Sequence, residues 1–375
     1  MDYFAERIKS IRKSDIRKIF DSAPSGSINL GLGEIQFPTP KIITGYAKEV
    51  IDKGNIPYTP NAGLIELRKK VADYYHTEFC DNVCITVGAE EALFTTLFCY
   101  LNPDDEVMLA NPTFLAYKTI IEMVGGKPVY FDLDPDNNFK LIRNSFIKSI
   151  TSRTKMIILN NPSNPLGICF DADETDFIIK ICKEKNILIL VDEVYRELFL
   201  EKRPKSFMEF DGDIIVVSSL SKSHCMTGWR LGWAVSPKKE LIEPIINIHQ
   251  FVCTCAPFIS QKAAIKALSE EGVAEKEKIR KKLVSNRKSA VEFIEKNIPD
   301  AKILSNSSSP YLFINFCIDD ILLTNDLLKE GLIVIPGSAF GSNGKNWIRI
   351  SYAVEKNILI KGLEVIRNRL YREKL

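Results

Sequence analysis

Histidine and tryptophan are scarce in this chain, with three of each among 375 residues, and the net charge is close to balance at +2. The three histidines, His76, His224 and His249, show no metal-ligand spacing, so no metal is expected. No basic stripe runs through the sequence, and neither nucleic acid nor an anionic membrane is an expected partner. The N-terminal cluster of Arg7, Lys9, Arg12, Lys13, Arg17 and Lys18 is interrupted by Glu6, Asp15 and Asp21, and reads as a solvated helix face. No run approaches the roughly 18 apolar residues of a membrane span, and Met1–Glu6 lacks the apolar core of a signal peptide. The nine cysteines form no Cys-x-x-Cys pair, and Cys84, Cys99 and Cys182 sit in apolar surroundings. That fits free thiols in a reducing compartment, and the expectation is a cytoplasmic protein.

Hydrophobic residues make up 45% and charged residues 26% of the chain, as in an ordinary soluble protein of two domains. From about residue 80, short apolar runs alternate with amphipathic ones. Strands are expected at Val83–Val87, Val107–Asn111, Pro128–Phe131, Lys155–Asn160, Ile187–Asp192, Ile214–Ser219 and Trp229–Ser236. Runs such as Ile187-Leu188-Ile189-Leu190-Val191 are apolar throughout, as when helices cover both faces of a sheet. The fold class is α/β, a mostly parallel sheet of about seven strands, with a smaller α+β domain after Pro257. The large domain is placed at 41–275 and the small one at 1–40 plus 276–375. A charged helix from about Glu270 to Asn297 would connect them.

In open α/β sheets ligands bind beyond the carboxyl ends of the strands, and the notable polar residues stand there. Gly88 and Ala89 follow the first strand and open a helix, where free N–H groups could meet a phosphate or simply make a tight turn. Asn164 is bracketed by Pro162 and Pro165, which fix its backbone. Asp192 ends an apolar strand, where a carboxylate is costly unless it meets a cation or caps a helix. Ser219, Ser221 and Lys222 end another, with Arg230 eight residues beyond the lysine. A desolvated lysine is a competent nucleophile toward an aldehyde, and serine with an arginine fork suits a phosphate. Together they point to pyridoxal phosphate. Arg349, in Trp347-Ile348-Arg349-Ile350-Ser351, is either an exposed strand residue or a clamp for a carboxylate; spacing leaves both open.

These residues resemble the class I/II aminotransferases, of the fold-type I pyridoxal-phosphate enzymes. The resemblance runs through Asn29-Leu30-Gly31-Leu32-Gly33-Glu34, Tyr58-Thr59-Pro60-Asn61-Ala62-Gly63, Asn111-Pro112-Thr113-Phe114, Asn161-Pro162-Ser163-Asn164-Pro165, Asp192-Glu193-Val194-Tyr195, Ser219-Leu220-Ser221-Lys222 and Arg349. It implies that Lys222 forms the Schiff base and moves the substrate's α-proton. Asp192 would pair with the pyridine nitrogen, Tyr195 and Asn164 would bond the ring oxygen, and Phe114 would stack on the ring. Ser219, Arg230 and the Gly88–Ala89 amides would hold the phosphate. Arg349, Asn164 and the Gly33 backbone would grip the substrate carboxylate. Tyr58 would reach the neighbouring subunit's site, which implies a homodimer. The implied reaction moves an amino group between an L-amino acid and a 2-oxo acid. Alternatives on the same scaffold are a C–S β-lyase, an amino-acid oxidase or a cyclase, or a non-catalytic cofactor-sensing domain. Ile35-Gln36 stand where the family has Pro-Asp, and Leu166 stands for its usual Thr, so the side-chain specificity stays open.

Overall fold

The structure is a computed structural model that describes residues 15–371 except 78, 306 and 307, together with residues 3, 5, 11 and 13. Of the N-terminal basic cluster, Arg7, Lys9 and Arg12 therefore lie outside the described residues. Lys13 and Arg17 both pair with Asp21.

The strands, in chain order, begin with β1 (Ile28–Asn29), β2 (Val83–Thr86), β3 (Glu106–Asn111), β4 (Lys127–Asp134) and β5 (Lys140–Leu141). Next come β6 (Thr154–Asn160), β7 (Leu188–Asp192), β8 (Ile214–Ser219) and β9 (Gly232–Val235). The last are β10 (Lys302–Ile303), β11 (Tyr311–Asn315), β12 (Leu332–Ile333), β13 (Ile335–Pro336) and β14 (Trp347–Ser351). The large sheet has eight strands in the order β2-β9-β8-β7-β6-β3-β4-β5. Strands β8, β7, β6, β3 and β4 are parallel, while β9 runs antiparallel to both its neighbours and β5 antiparallel to β4. The eighth strand is the two-residue β5, too short to signal itself by periodicity.

Successive residues of the central strands feed opposite layers, as the pleat requires. Ile157, Leu159, Ile189, Val191, Ile214 and Val216 enter one apolar layer. Met156, Ile158, Leu188, Leu190, Ile215 and Val217 enter the other. This two-sided burial explains the uninterrupted apolar runs. The helix Ala172–Lys185 shows how the crossovers are fixed: Asp171 and Glu174 form a capping box at its start, and Asn186 ends it in a left-handed conformation.

A 28-residue helix, Glu270–Asn297, leads away from the large sheet. At 1.5 Å per residue it spans about 42 Å. Beyond it, β10, β11, β14 and β13 form a four-stranded antiparallel sheet. Strand β1 returns there and pairs in parallel with β12. A separate apolar cluster lies here, built from Leu283, Ala290, Ile294, Leu312, Ile314, Ile348, Ile350, Leu359 and Leu363.

One expected strand is shorter than its sequence suggests. Trp229 belongs to a 3-10 turn, Thr227–Trp229, and Arg230 has a left-handed backbone at φ 49°. Strand β9 therefore starts at Gly232. Its glycine is required: a Cβ there would come within 2.5 Å of the Ala89 nitrogen and 2.6 Å of the Gly88 carbonyl carbon.

Candidate active site

Register brings the polar residues to one edge. Asn160 at the end of β6 pairs with Asp192 at the end of β7, and Asp192 pairs with Val217, two residues before Ser219 at the end of β8. A cavity of about 240 Å³ opens over this edge. Phe114, Asn164, Asp192, Tyr195, Ser219, Lys222, Arg230 and Ala89 all line it. A larger groove of about 690 Å³, walled by Lys140, Asp171, Lys202 and Arg287, includes none of the expected site residues.

Lys222 is half-buried, and its one hydrogen bond among the described residues donates from Nζ to the Gly33 carbonyl at 2.6 Å. Burial pulls its ammonium down to about 8, against the opposing pull of Glu34 and Asp192. Asp192 is buried and accepts hydrogen bonds from Tyr117 Oη at 2.8 Å and the Val194 N–H at 3.1 Å. Neither donor is a cation, and burial pushes this carboxyl up to about 6. A buried carboxylate held this way is poised for a cationic ligand.

Gly88 caps the helix Ala89–Tyr100 at φ 84°. A Cβ on it would come within 2.5 Å of Arg230 Nη2, so the glycine lets the guanidinium lie across the helix start. Arg230 is itself exposed and bonded through Nη1 to the Thr227 carbonyl at 2.9 Å. Ser219 Oγ accepts from the Ser221 N–H at 3.3 Å. Behind this cradle, Glu91 accepts the Val87 N–H at 3.1 Å and faces His249 Nδ1 at 3.1 Å. Glu91, His249 and Cys253 come together here, a set that chain spacing did not reveal. The Cys253 sulfur lies 3.4 and 3.8 Å from the two ring nitrogens, alongside the ring instead of on one lone pair. The cluster thus anchors the loop that enters Gly88.

Arg349 is not exposed: it is 2% accessible on β14. Nη1 donates to Asn164 Oδ1 at 2.8 Å and Nη2 to the Gly31 carbonyl at 2.6 Å. The guanidinium lies 4.3 Å over the Tyr311 ring and 4.9 Å from that of Phe340. Its Nε has no hydrogen-bond partner, and no carboxylate pairs with it among the described residues. Burial lowers its pKa. An orphaned N–H on a buried guanidinium suits an incoming carboxylate.

The remaining expected residues fall as follows. Asn164 is buried, its N–H bonded to Asn160 Oδ1 at 2.6 Å, and both the Asn161–Pro162 and Asn164–Pro165 peptides are cis. Phe114 lies edge-on to Tyr117 at 5.4 Å on the cavity wall. Tyr195 Oη meets Tyr311 Oη at 3.0 Å. Tyr58 is 85% exposed and does not line this chain's own cavity. His224 is buried, with Ser223 Oγ 2.8 Å from its Nδ1 and its pKa drawn down to about 4 by burial.

Sequence reasoning missed Tyr117, Tyr311 and the Glu34–Thr227 hydrogen bond. The signal for Tyr117 was its place three residues after Phe114, one helical turn away. Tyr311 reads as one more apolar strand residue, and nothing local marks it.

A half-buried lysine of lowered pKa and a buried carboxylate bonded by neutral donors meet beside Ser219 and Arg230 over the carboxyl edge of a parallel sheet, and the buried Arg349 guanidinium bonds the neighbouring Asn164. The profile of the class I and II aminotransferases matches residues 25–366. The chain is 35% identical to a probable aspartate aminotransferase of Methanocaldococcus jannaschii, covering 97% of this chain and 98% of that one. It is 32% identical to an aromatic-amino-acid aminotransferase of Thermococcus litoralis, over 99% of each. Among solved structures, a mutant aspartate aminotransferase of Thermus thermophilus superimposes with a TM-score of 0.92 at 26% identity, covering 99% of this chain and 100% of that one. An aromatic aminotransferase of Pyrococcus horikoshii does so at 0.87 and 30%, covering 96% and 99%. The chain belongs to the class I and II aminotransferase family and is a transferase of amino groups.

Proposed function

We propose that the chain transfers the amino group of an L-amino acid to a 2-oxo acid with pyridoxal phosphate held on Lys222. The observation that carries this reading is Lys222, its ammonium weakened to about 8, lining one cavity with the Asp192 carboxylate that only neutral donors bond among the described residues. The cofactor, when bound, supplies an electron sink for the bond broken at the substrate Cα.

The chain's own groups do the rest. Asp192 would face the ring nitrogen and keep it protonated. Tyr195 and Asn164 would bond the ring oxygen, and Phe114 would cover the ring face. Ser219, Arg230 and the Gly88–Ala89 N–H groups would take the phosphate dianion. Arg349, with Asn164 and the Gly33 backbone, would hold the α-carboxylate. That would orient the Cα–H toward Lys222, whose neutral amine would take up the α-proton and hold it for return.

Two features of organisation belong to the same reading. The apolar cluster drawn mostly from Leu30–Phe37 and from Leu283 onward supports a small domain at 1–40 plus 276–375 beside a large one at 41–275, with Phe313 and Trp347 packing into the large core and Tyr195 and Leu198 into the small one. The exposed Tyr58, with Phe251 at 83% exposure, supports a homodimer in which Tyr58 completes the neighbour's site. Nine free cysteines support a cytoplasmic setting.

Relatives named for aspartate and for aromatic amino acids leave the donor to be found by assay. Protein loaded with pyridoxal phosphate should be yellow. Amino acids that serve as donors should bleach it, and 2-oxoglutarate should restore the colour. Bleaching accompanied by ammonia and pyruvate release would instead assign a lyase. Absence of any spectral response across an amino-acid panel would contradict transamination.

A further inference from the structure

We propose that Tyr311 is a positioning residue of this site: its hydroxyl directs the Tyr195 phenol toward the cofactor's ring oxygen, and its ring carries Arg349. The inference rests on the cofactor reading above and adds to it a residue to which the sequence assigned no role.

Tyr311 is fully buried at the start of β11, on the strand that pairs with β14 and its Arg349. It touches three parts of the site at once. Its Oη lies 3.0 Å from Tyr195 Oη, with the two rings edge to face at 5.6 Å. Its ring lies 4.3 Å beneath the Arg349 guanidinium. Its Oη also occupies the space that a Cβ on Gly33 would need, 2.6 Å away, and the Gly33 carbonyl is the acceptor for Lys222.

Proton counting gives the hydroxyl pair a direction. A phenol has one proton to donate and lone pairs to accept with. Tyr195 lines the cavity and Tyr311 does not. If Tyr195 is to donate into the cavity, it must accept from Tyr311, so the Tyr311 proton lies on the Tyr195 oxygen. Accepting that bond polarises the Tyr195 O–H and makes it a stronger donor to a ring oxygen. The other titratable groups facing this pair are Asp192 from β7, Arg349 from β14 and Tyr117 from the helix Ala116–Met123, and Lys222 lines the same cavity as Tyr195. Changing Tyr311 to Phe alters none of them directly.

The test is a pH titration of the visible band of the loaded protein, which reports the proton on the Lys222 nitrogen. In Tyr311→Phe the ring remains under Arg349, but Tyr195 loses its donor. The ring oxygen is then less well stabilised without that proton. The titration midpoint should move up by about half a pH unit, roughly a threefold change in proton affinity, as one hydrogen bond of ordinary strength implies. In a Tyr195→Phe background the same change should move nothing further. Gly33→Ala, whose Cβ would press Tyr311 Oη off Tyr195, should shift the midpoint the same way. Tyr311→Leu should in addition weaken amino-acid binding severalfold, through Arg349. An unmoved midpoint in both Tyr311→Phe and Gly33→Ala, or a shift that persists without the Tyr195 hydroxyl, would overturn the inference and leave the cofactor reading standing. A wild-type protein that develops no visible band would overturn both.

Discussion

Replacing Arg349 with lysine keeps the charge and removes the fork. The guanidinium now spends Nη1 on Asn164 Oδ1 and Nη2 on the Gly31 carbonyl, and its Nε is unspent. A substrate carboxylate would take the remaining N–H groups as charge-assisted bonds. An ammonium has three donors at one point, so it cannot serve two protein acceptors and two carboxylate oxygens in this geometry. Losing one or two such bonds, at about 1.5–3 kcal/mol each, gives a net loss of about 2–4 kcal/mol. That corresponds to a roughly 30- to 1000-fold fall in affinity for the amino acid. The assay is an equilibrium titration of the visible band, run once with an amino acid and once with the matching amine that lacks the carboxylate. Arg349→Lys should cost the full factor with the first and little with the second. Cofactor affinity should change less than amino-acid affinity, because Arg349 does not line the cavity and reaches the residues assigned to the cofactor only through Asn164. Equal losses with both ligands, or no loss with the amino acid, would refute the assignment of Arg349 to the α-carboxylate.

Three further outcomes follow from the same geometry. Gly88→Ala places a Cβ at φ 84° and 2.5 Å from Arg230 Nη2; thermal melting should register a loss of about 1–2 kcal/mol. Its affinity for pyridoxal phosphate should fall at least about tenfold, the worth of one charge-assisted bond, while pyridoxal without the phosphate should be bound nearly as well as before. Capture of pyridoxal by the cofactor-free protein requires the neutral Lys222 amine, so its rate should climb with pH and level off above about 8; a rate still climbing tenfold per pH unit at pH 9.5 would place the lysine in an ordinary environment. The raised Asp192 works against the cofactor-free fold: its stabilising contribution is present below about pH 4 and is lost as pH rises through about 6. Asp192→Asn should therefore melt higher than the cofactor-free wild type at pH 8, by on the order of 1–2 kcal/mol once one lost hydrogen bond is deducted. The two should converge near pH 4, and the variant should bind pyridoxal phosphate more weakly at either pH.

What could be read from the sequence was whatever is local. Buried parallel strands announce themselves by unbroken apolar runs, and chemistry at their ends by a polar residue where the run stops. Asp192, Asn164 and Lys222 were visible on that basis. The start of β9 was not, because Trp229 and Leu231 carry the strand's apolar pattern upstream, and only the left-handed Arg230 and the crowding at Gly232 show where the strand starts. Arg349 could be given a face of β14 but not a depth: its burial depends on Tyr311 from β11 and Phe340 from the turn after β13. Tyr117 and Tyr311 were invisible because a phenol in an apolar run looks like packing until its oxygen's partner is known. Glu91, His249 and Cys253 meet only because helices 158 residues apart in sequence pack together.

The central claim is that Lys222, and no other lysine, holds the cofactor aldehyde. Loading the protein with pyridoxal phosphate, reducing it with borohydride and sequencing the digest by mass spectrometry tests this directly. The account predicts one reduced pyridoxyl-phosphate adduct, on the peptide that carries Lys222, and none in Lys222→Ala. An adduct on a different lysine, or an unmodified Lys222 in a yellow protein, would contradict it.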